Sequence, residues 1–103
     1  MKKTVLRAGR LSTAEEFSIP ITLNGWLYVK GTLLCNELHN VLETVDFNAI
    51  IKGELVQARM WAEATTTLPF YLCFGYVAKG DRLEALCSND MFASYEAYVE
   101  NED

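Results

Sequence analysis

Asn24-Gly25 stands between two runs of β-branched and aromatic residues, at 19–23 and 26–29. A type I′ turn needs positive φ at both central residues, so Asn-Gly between extended segments is the strongest short-range sign of a β-hairpin. With a two-residue loop, Leu23 would oppose Trp26 and Ile21 would oppose Tyr28. Partners across a ladder point the same way, which gathers Ile19, Ile21, Leu23, Trp26 and Tyr28 on one apolar side. Trp26 and Tyr28 are therefore expected in the core. The other side would carry Ser18, Pro20, Thr22, Leu27 and Val29, and Pro20, with no N–H to donate, marks its strand as an edge or an early end.

Helical spacing follows. Leu34, Leu38, Val41, Leu42 and Val45 recur three and four residues apart behind Thr32 as N-cap, which predicts an amphipathic helix. Residues 46–67 satisfy two patterns. Phe47, Ile50, Ile51, Leu55, Ala58 and Ala62 form a helical stripe with Asp46 as cap, whereas Val56, Ala58, Met60, Ala62 and Ala64 alternate as in a strand. Good helix formers favour the helix, with Gly53 as its weak point.

The run LPFYLCFGYVA is apolar on both faces, as in a central strand, and Lys79-Gly80-Asp81 turns it into RLEALC, a second hairpin around Gly80. Asp90 would cap a last helix striped by Met91, Phe92, Tyr95, Tyr98 and Val99. A short strand over 4–7 and a helical turn at the capping-box patterns Ser12…Glu15 and Thr13…Glu16 complete the expectation. It is an α+β fold: one domain over residues 1–103, a mainly antiparallel sheet against two or three helices, and a short acidic tail at 100–103.

The chain has 103 residues, of which half are apolar and 22% charged, a composition that builds one packed core. Arg7 and Arg10 interrupt the apolar stretch a signal peptide requires. The apolar run within 68–78 is roughly half the 20 residues of a membrane-spanning helix. A cytoplasmic chain without membrane contact is expected. Cys35, Cys73 and Cys87 are odd in number and have no Cys-x-x-Cys spacing, so they read as reduced, buried thiols and not as a disulfide framework.

No glycine-rich phosphate loop is present, and no cofactor is expected. Cys35, His39 and Glu43 would line one side of the predicted helix at four-residue intervals, the residue types of a nucleophilic triad. Side chains stacked along one helix run parallel and do not converge on a substrate, and a structural zinc needs a fourth ligand. Neither catalysis nor metal binding is therefore assigned, and the chain is read as not an enzyme.

Charge is unevenly spread. The net charge is −5, with +4 in the first ten residues and −6 from Asp81 onward. Acidity at the far end repels nucleic acid and attracts a basic protein surface. Association is accordingly the leading expectation: an inhibitor or immunity-type protein that engages a basic, nucleic-acid-handling target through Glu96, Tyr98, Glu100 and Glu102. A second copy of the chain, as homodimer or structural homo-oligomer, is an alternative partner. A further alternative is a small-ligand or enzymatic pocket between helix and sheet, lined by Trp61, Tyr71, Tyr76 and His39.

Overall fold

The computed structural model describes residues 1–35, 43–62, 66–88 and 91–102. They form eight strands and one 3-10 turn at Thr13–Glu15: β1 (Lys2–Leu11), β2 (Phe17–Pro20), β3 (Gly25–Cys35), β4 (Glu43–Ile51), β5 (Glu54–Ala62), β6 (Thr66–Val77), β7 (Arg82–Cys87) and β8 (Met91–Asn101). The fold is all-β, not α+β: two antiparallel four-stranded sheets, a front sheet in the order β1-β8-β3-β6 and a back sheet in the order β2-β7-β4-β5.

The pairs β1·β8, β2·β7, β3·β6 and β4·β5 are those of one long hairpin folded at Lys52-Gly53. Rolling that hairpin up brings β8 against β3 and β7 against β4. The result is a β-sandwich of jelly-roll type, in which only the β4–β5 link joins neighbours of one sheet.

Alternation fills the space between the sheets. Leu27, Val29 and Leu33 of β3 and Ala93, Tyr95, Ala97 and Val99 of β8 meet Val45, Phe47 and Ala49 of β4 and Leu83, Ala85 and Cys87 of β7, all buried. Tyr95 is the large residue of its row. It lies between Gly9 and Gly31 on the neighbouring strands and contacts the Phe17 and Phe47 rings at 5.6 and 5.8 Å.

The last helix is strand β8. Its spacing satisfied both periods, and pairing on both sides with β1 and β3 decided between them. The helix expected from Thr32 is replaced at both of its ends, since residues 32–35 continue β3 and 43–45 open β4, while 36–42 lie outside the described residues. In residues 46–67 the strand alternation prevails. Lys52 and Gly53 adopt φ of 54° and 80°, the turn conformation that breaks a helix and closes a hairpin.

Neither expected hairpin exists. Around Asn24-Gly25 the chain crosses from the back sheet to the front sheet, because β2 ends at Pro20 after pairing with β7. Gly25 serves a close approach: a Cβ there would meet the Glu100 carbonyl oxygen and Val99 Cγ1 at 2.5 Å. Asn24 is a brace, its Oδ1 accepting the Lys79 N–H at 3.0 Å. Ile19, Ile21 and Leu23 face the core as expected, but without the turn the faces of the second run invert. Leu27 and Val29 are buried, and Trp26, 43% exposed, and Tyr28 lie on the outer face.

The turn before Asp81 forms, but β6 and β7 leave it for different sheets, so it is a corner and β6 is an edge strand, not a central one. The Asp81 carboxylate accepts the Ala78 N–H at 2.9 Å and the Lys52 N–H at 3.1 Å, tying this corner to the hairpin tip. Those two donors hold its pKa below the usual carboxylate value.

Candidate functional site: the outer face of the front sheet

Strand alternation that sends Leu27, Val29, Ala97 and Val99 inward sends their neighbours outward in three cross-strand rows. The rows are Lys3–Glu100–Trp26–Tyr76, Val5–Tyr98–Tyr28–Cys73 and Ala8–Glu96–Lys30–Tyr71. Five aromatic side chains thus meet on the solvent side of one sheet. Trp26 and Tyr76 are edge to face at 5.7 Å, Tyr28 stacks on Tyr98 at 5.3 Å, and Tyr28 and Tyr71 lie at 5.7 Å.

Exposure divides the five. Tyr71 and Tyr76 are 62% and 56% exposed, whereas Tyr98 is 4% exposed although it points away from the core. Lys3 Nζ lies 4.5 Å and Lys30 Nζ 5.7 Å from the centre of its ring. Its hydroxyl donates to Tyr71 Oη at 3.3 Å. Burial first, and the Tyr71 contact second, raise the Tyr98 pKa well above the ordinary phenol value. Burial also raises that of Tyr28, helped by neighbouring Cys73.

The charges of the face pair with one another. Lys3 forms an ion pair with Glu96, and Lys30 approaches the same carboxylate at 3.9 Å. The bond from Lys3 holds the Glu96 pKa below its usual value. Glu96 is thus a fixed anion, not a proton donor at neutral pH. The basic beginning and acidic end of the chain, far apart in sequence, are neighbours through the β1·β8 ladder, where Lys2, Lys3, Arg7 and Arg10 share a strand pair with Glu96 and Glu100.

Of the four residues expected to bind a partner, Glu96, Tyr98 and Glu100 share this face, and Glu102 is exposed just beyond β8. Two grooves adjoin them. One, of about 380 Å³, is bounded by Lys30, Thr32, Tyr71, Ser94 and Glu96; the other, of about 200 Å³, by Met1, Trp26, Tyr76, Glu100 and Glu102. Trp26, Tyr28, Lys3 and Lys30 were not expected here. The alternation of Trp26, Tyr28 and Lys30 is the pattern that carried the information.

The pocket expected between helix and sheet is not formed. Tyr71 and Tyr76 are on the front face, Trp61 projects from β5 of the back sheet, and His39 lies outside the described residues. Nor does the helical Cys35, His39, Glu43 series exist, since Cys35 closes β3 in one sheet and Glu43 opens β4 in the other. Of the thiols, Cys87 is buried, as expected, and Cys73 is exposed. Among the described residues no group of three His, Cys, Asp or Glu side chains is placed to hold a metal ion, and no helix is long and apolar enough to cross a membrane.

No protein-family model matches the chain, and no curated protein matches it.

Proposed function

We propose that this protein acts by association, with the outer face of the front sheet as its contact surface. The observation that carries the reading is the half-exposed trio Trp26, Tyr71 and Tyr76, on the same face as Tyr28 and the buried Tyr98, over whose ring the exposed Lys3 and Lys30 lie. Rigid, partly exposed aromatics inside a polar rim are the composition of binding hot spots. Lys3 and Lys30 share Glu96, and Glu100 lies on the same face, so two cations stand beside two anions and the weight shifts from electrostatic steering to aromatic burial. An inhibitor or immunity-type role is the form of association that the acidic composition favours, with Glu100 and Glu102 left to meet cations at the rim.

The test uses the tagged protein co-expressed with an untagged copy in host lysate, beside a Trp26→Ala/Tyr71→Ala variant and a Trp61→Ala variant from the back sheet. Stoichiometric companions of either kind should be lost with the front-face variant and kept with the back-sheet one. Equal retention by both would refute the assignment of this face.

A further inference from the structure

The cations of the chain are not used alike. Lys3 and Lys30 share Glu96, Arg59 pairs with Asp46, Arg82 bonds Ser18 Oγ, and Arg7 lies over the Phe17 ring. The side chains of Lys2 and Lys79 have no ion pair, hydrogen bond or ring contact among the described residues. Far apart in sequence, these two line one cavity of about 470 Å³.

The cavity lies at the end of the sandwich where β1 begins, β8 ends, the β2–β3 crossing passes and β6 turns toward β7. A hydrogen-bonded relay fixes its wall. Asn101 Nδ2 donates to the Asn24 carbonyl oxygen at 3.3 Å, and Asn24 Oδ1 accepts the Lys79 N–H at 3.0 Å. The Gly80 N–H holds the same corner to the Ile21 carbonyl oxygen at 3.1 Å. Lys79 thus stands on a braced turn, and Lys2 on a strand paired with Asn101.

We infer that this cavity binds a small hydroxylated anion, a sugar phosphate or a sugar acid. The site goes beyond the association reading and does not depend on it. Two lysines against one glutamate, Glu102, make the cavity positive in a chain of net charge −5. The acidity elsewhere acts weakly here, because at physiological salt charges more than about 8 Å away are screened. Unpaired ammonium groups bordering a shared space are donors for phosphate or carboxylate oxygens.

The uncharged lining sets the rest of the ligand. Asn24 Nδ2 and the Thr4 hydroxyl, which bond nothing else among the described residues, suit sugar hydroxyls. Tyr76, 56% exposed, offers a ring to the C–H side of a sugar. Leu23 is the one lining residue without a polar side-chain atom, which disfavours an apolar ligand. The volume falls within the roughly 300–1,000 Å³ of small-molecule sites.

Glucose phosphate, glucuronate, glucose and inorganic phosphate are titrated separately into isotope-labelled protein, with amide shifts followed by NMR. Saturable shifts at Asn24, Lys79 and Asn101 are expected with glucose phosphate or glucuronate, the tighter of the two naming the anion. Glucose and inorganic phosphate should each bind at least tenfold more weakly. Lys2→Ala and Lys79→Ala should each weaken the sugar anion about tenfold, while Lys79→Arg and, at the far end of β1, Arg10→Ala leave it unchanged. The front-face variant Trp26→Ala/Tyr71→Ala should bind like wild type, so the failure of this site and the failure of the association reading are distinguishable. No saturable shift with either sugar anion up to about 10 mM would overturn the site, as would equal binding by a Lys2→Ala/Lys79→Ala variant. Glucose binding as tightly would take the lysines out of recognition, and inorganic phosphate binding as tightly would take out the sugar; either overturns the inference.

Discussion

The hydroxyls of Tyr71 and Tyr98 lie 3.3 Å apart, although the first residue is 62% exposed and the second 4%. Tyr71 is therefore a lid: it spends its own exposure to keep the Tyr98 phenol away from water. A raised folded-state pKa contributes stability that is complete below the unfolded value near 10 and is lost as pH rises through it. The protein should lose stability above about pH 10, with Tyr98 ionising above the ordinary tyrosine range. Tyr71→Ala should bring that ionisation back toward the ordinary range in an alkaline absorbance titration. An unchanged curve would show that Tyr71 is not the cover.

At the hairpin tip, Lys52 sits at φ 54° beside Gly53 at φ 80°. A side chain in the left-handed region costs about 1 kcal/mol, and asparagine tolerates it better than lysine. Lys52→Asn should stabilise the protein by about 0.5 kcal/mol and Gly53→Ala should destabilise it by about 1 kcal/mol or more, both measured by urea unfolding.

Asp81 joins two separate turns through the Ala78 and Lys52 N–H groups. Asp81→Asn keeps the shape and removes the charge, so a loss of about 1–2 kcal/mol is expected at pH 7. The folded pKa is lowered, so this stabilisation is present above the unfolded value near 4 and disappears as pH falls through the folded one. Stability curves of the two proteins should converge in acid. A constant gap down to pH 2 would place the effect elsewhere.

Gly31 faces Tyr95 across the β3·β8 ladder, and a Cβ there would run into the Ser94 carbonyl oxygen and come within 2.8 Å of Tyr95 Cα. Relief would require the two central strands of the front sheet to separate. Gly31→Ala should cost about 3 kcal/mol. A melting temperature within about 2 °C of wild type would argue against so tight an approach.

Local signals in the chain named many strand residues and few of their partners. The runs at 68–77 and 82–87 were legible as strands, and so was the turn between them, but nothing in Lys79-Gly80-Asp81 states that β6 and β7 part into different sheets. Asn24-Gly25 carried the strongest hairpin signature and sits at a crossing, while the hairpin itself closes on Lys52-Gly53. Tyr95, Tyr98 and Val99 fit a helical stripe, yet Ala93, Tyr95, Ala97 and Val99 alternate equally well. Short apolar segments satisfy both periods, and only long-range pairing arbitrates. The face residues were present in the sequence as aromatics without an address: Trp26 and Tyr28 move from the expected core to solvent when one turn is removed, because a strand has only two sides.

Strand β8 lies between β1 and β3, so β1, the first strand, waits for one made about 80 residues later. During synthesis the back-sheet ladders β4·β5 and β2·β7 have both partners once Cys87 has been made, whereas β1 has none until Met91–Asn101 follows. Glu96, Tyr98 and Glu100 arrive with that same strand. Before that strand is made, the β3·β6 ladder can already hold Trp26, Tyr71 and Tyr76 but lacks the Tyr98 ring that stacks on Tyr28 and the Glu96 carboxylate that pairs with the lysines, so the front face is assembled in two steps.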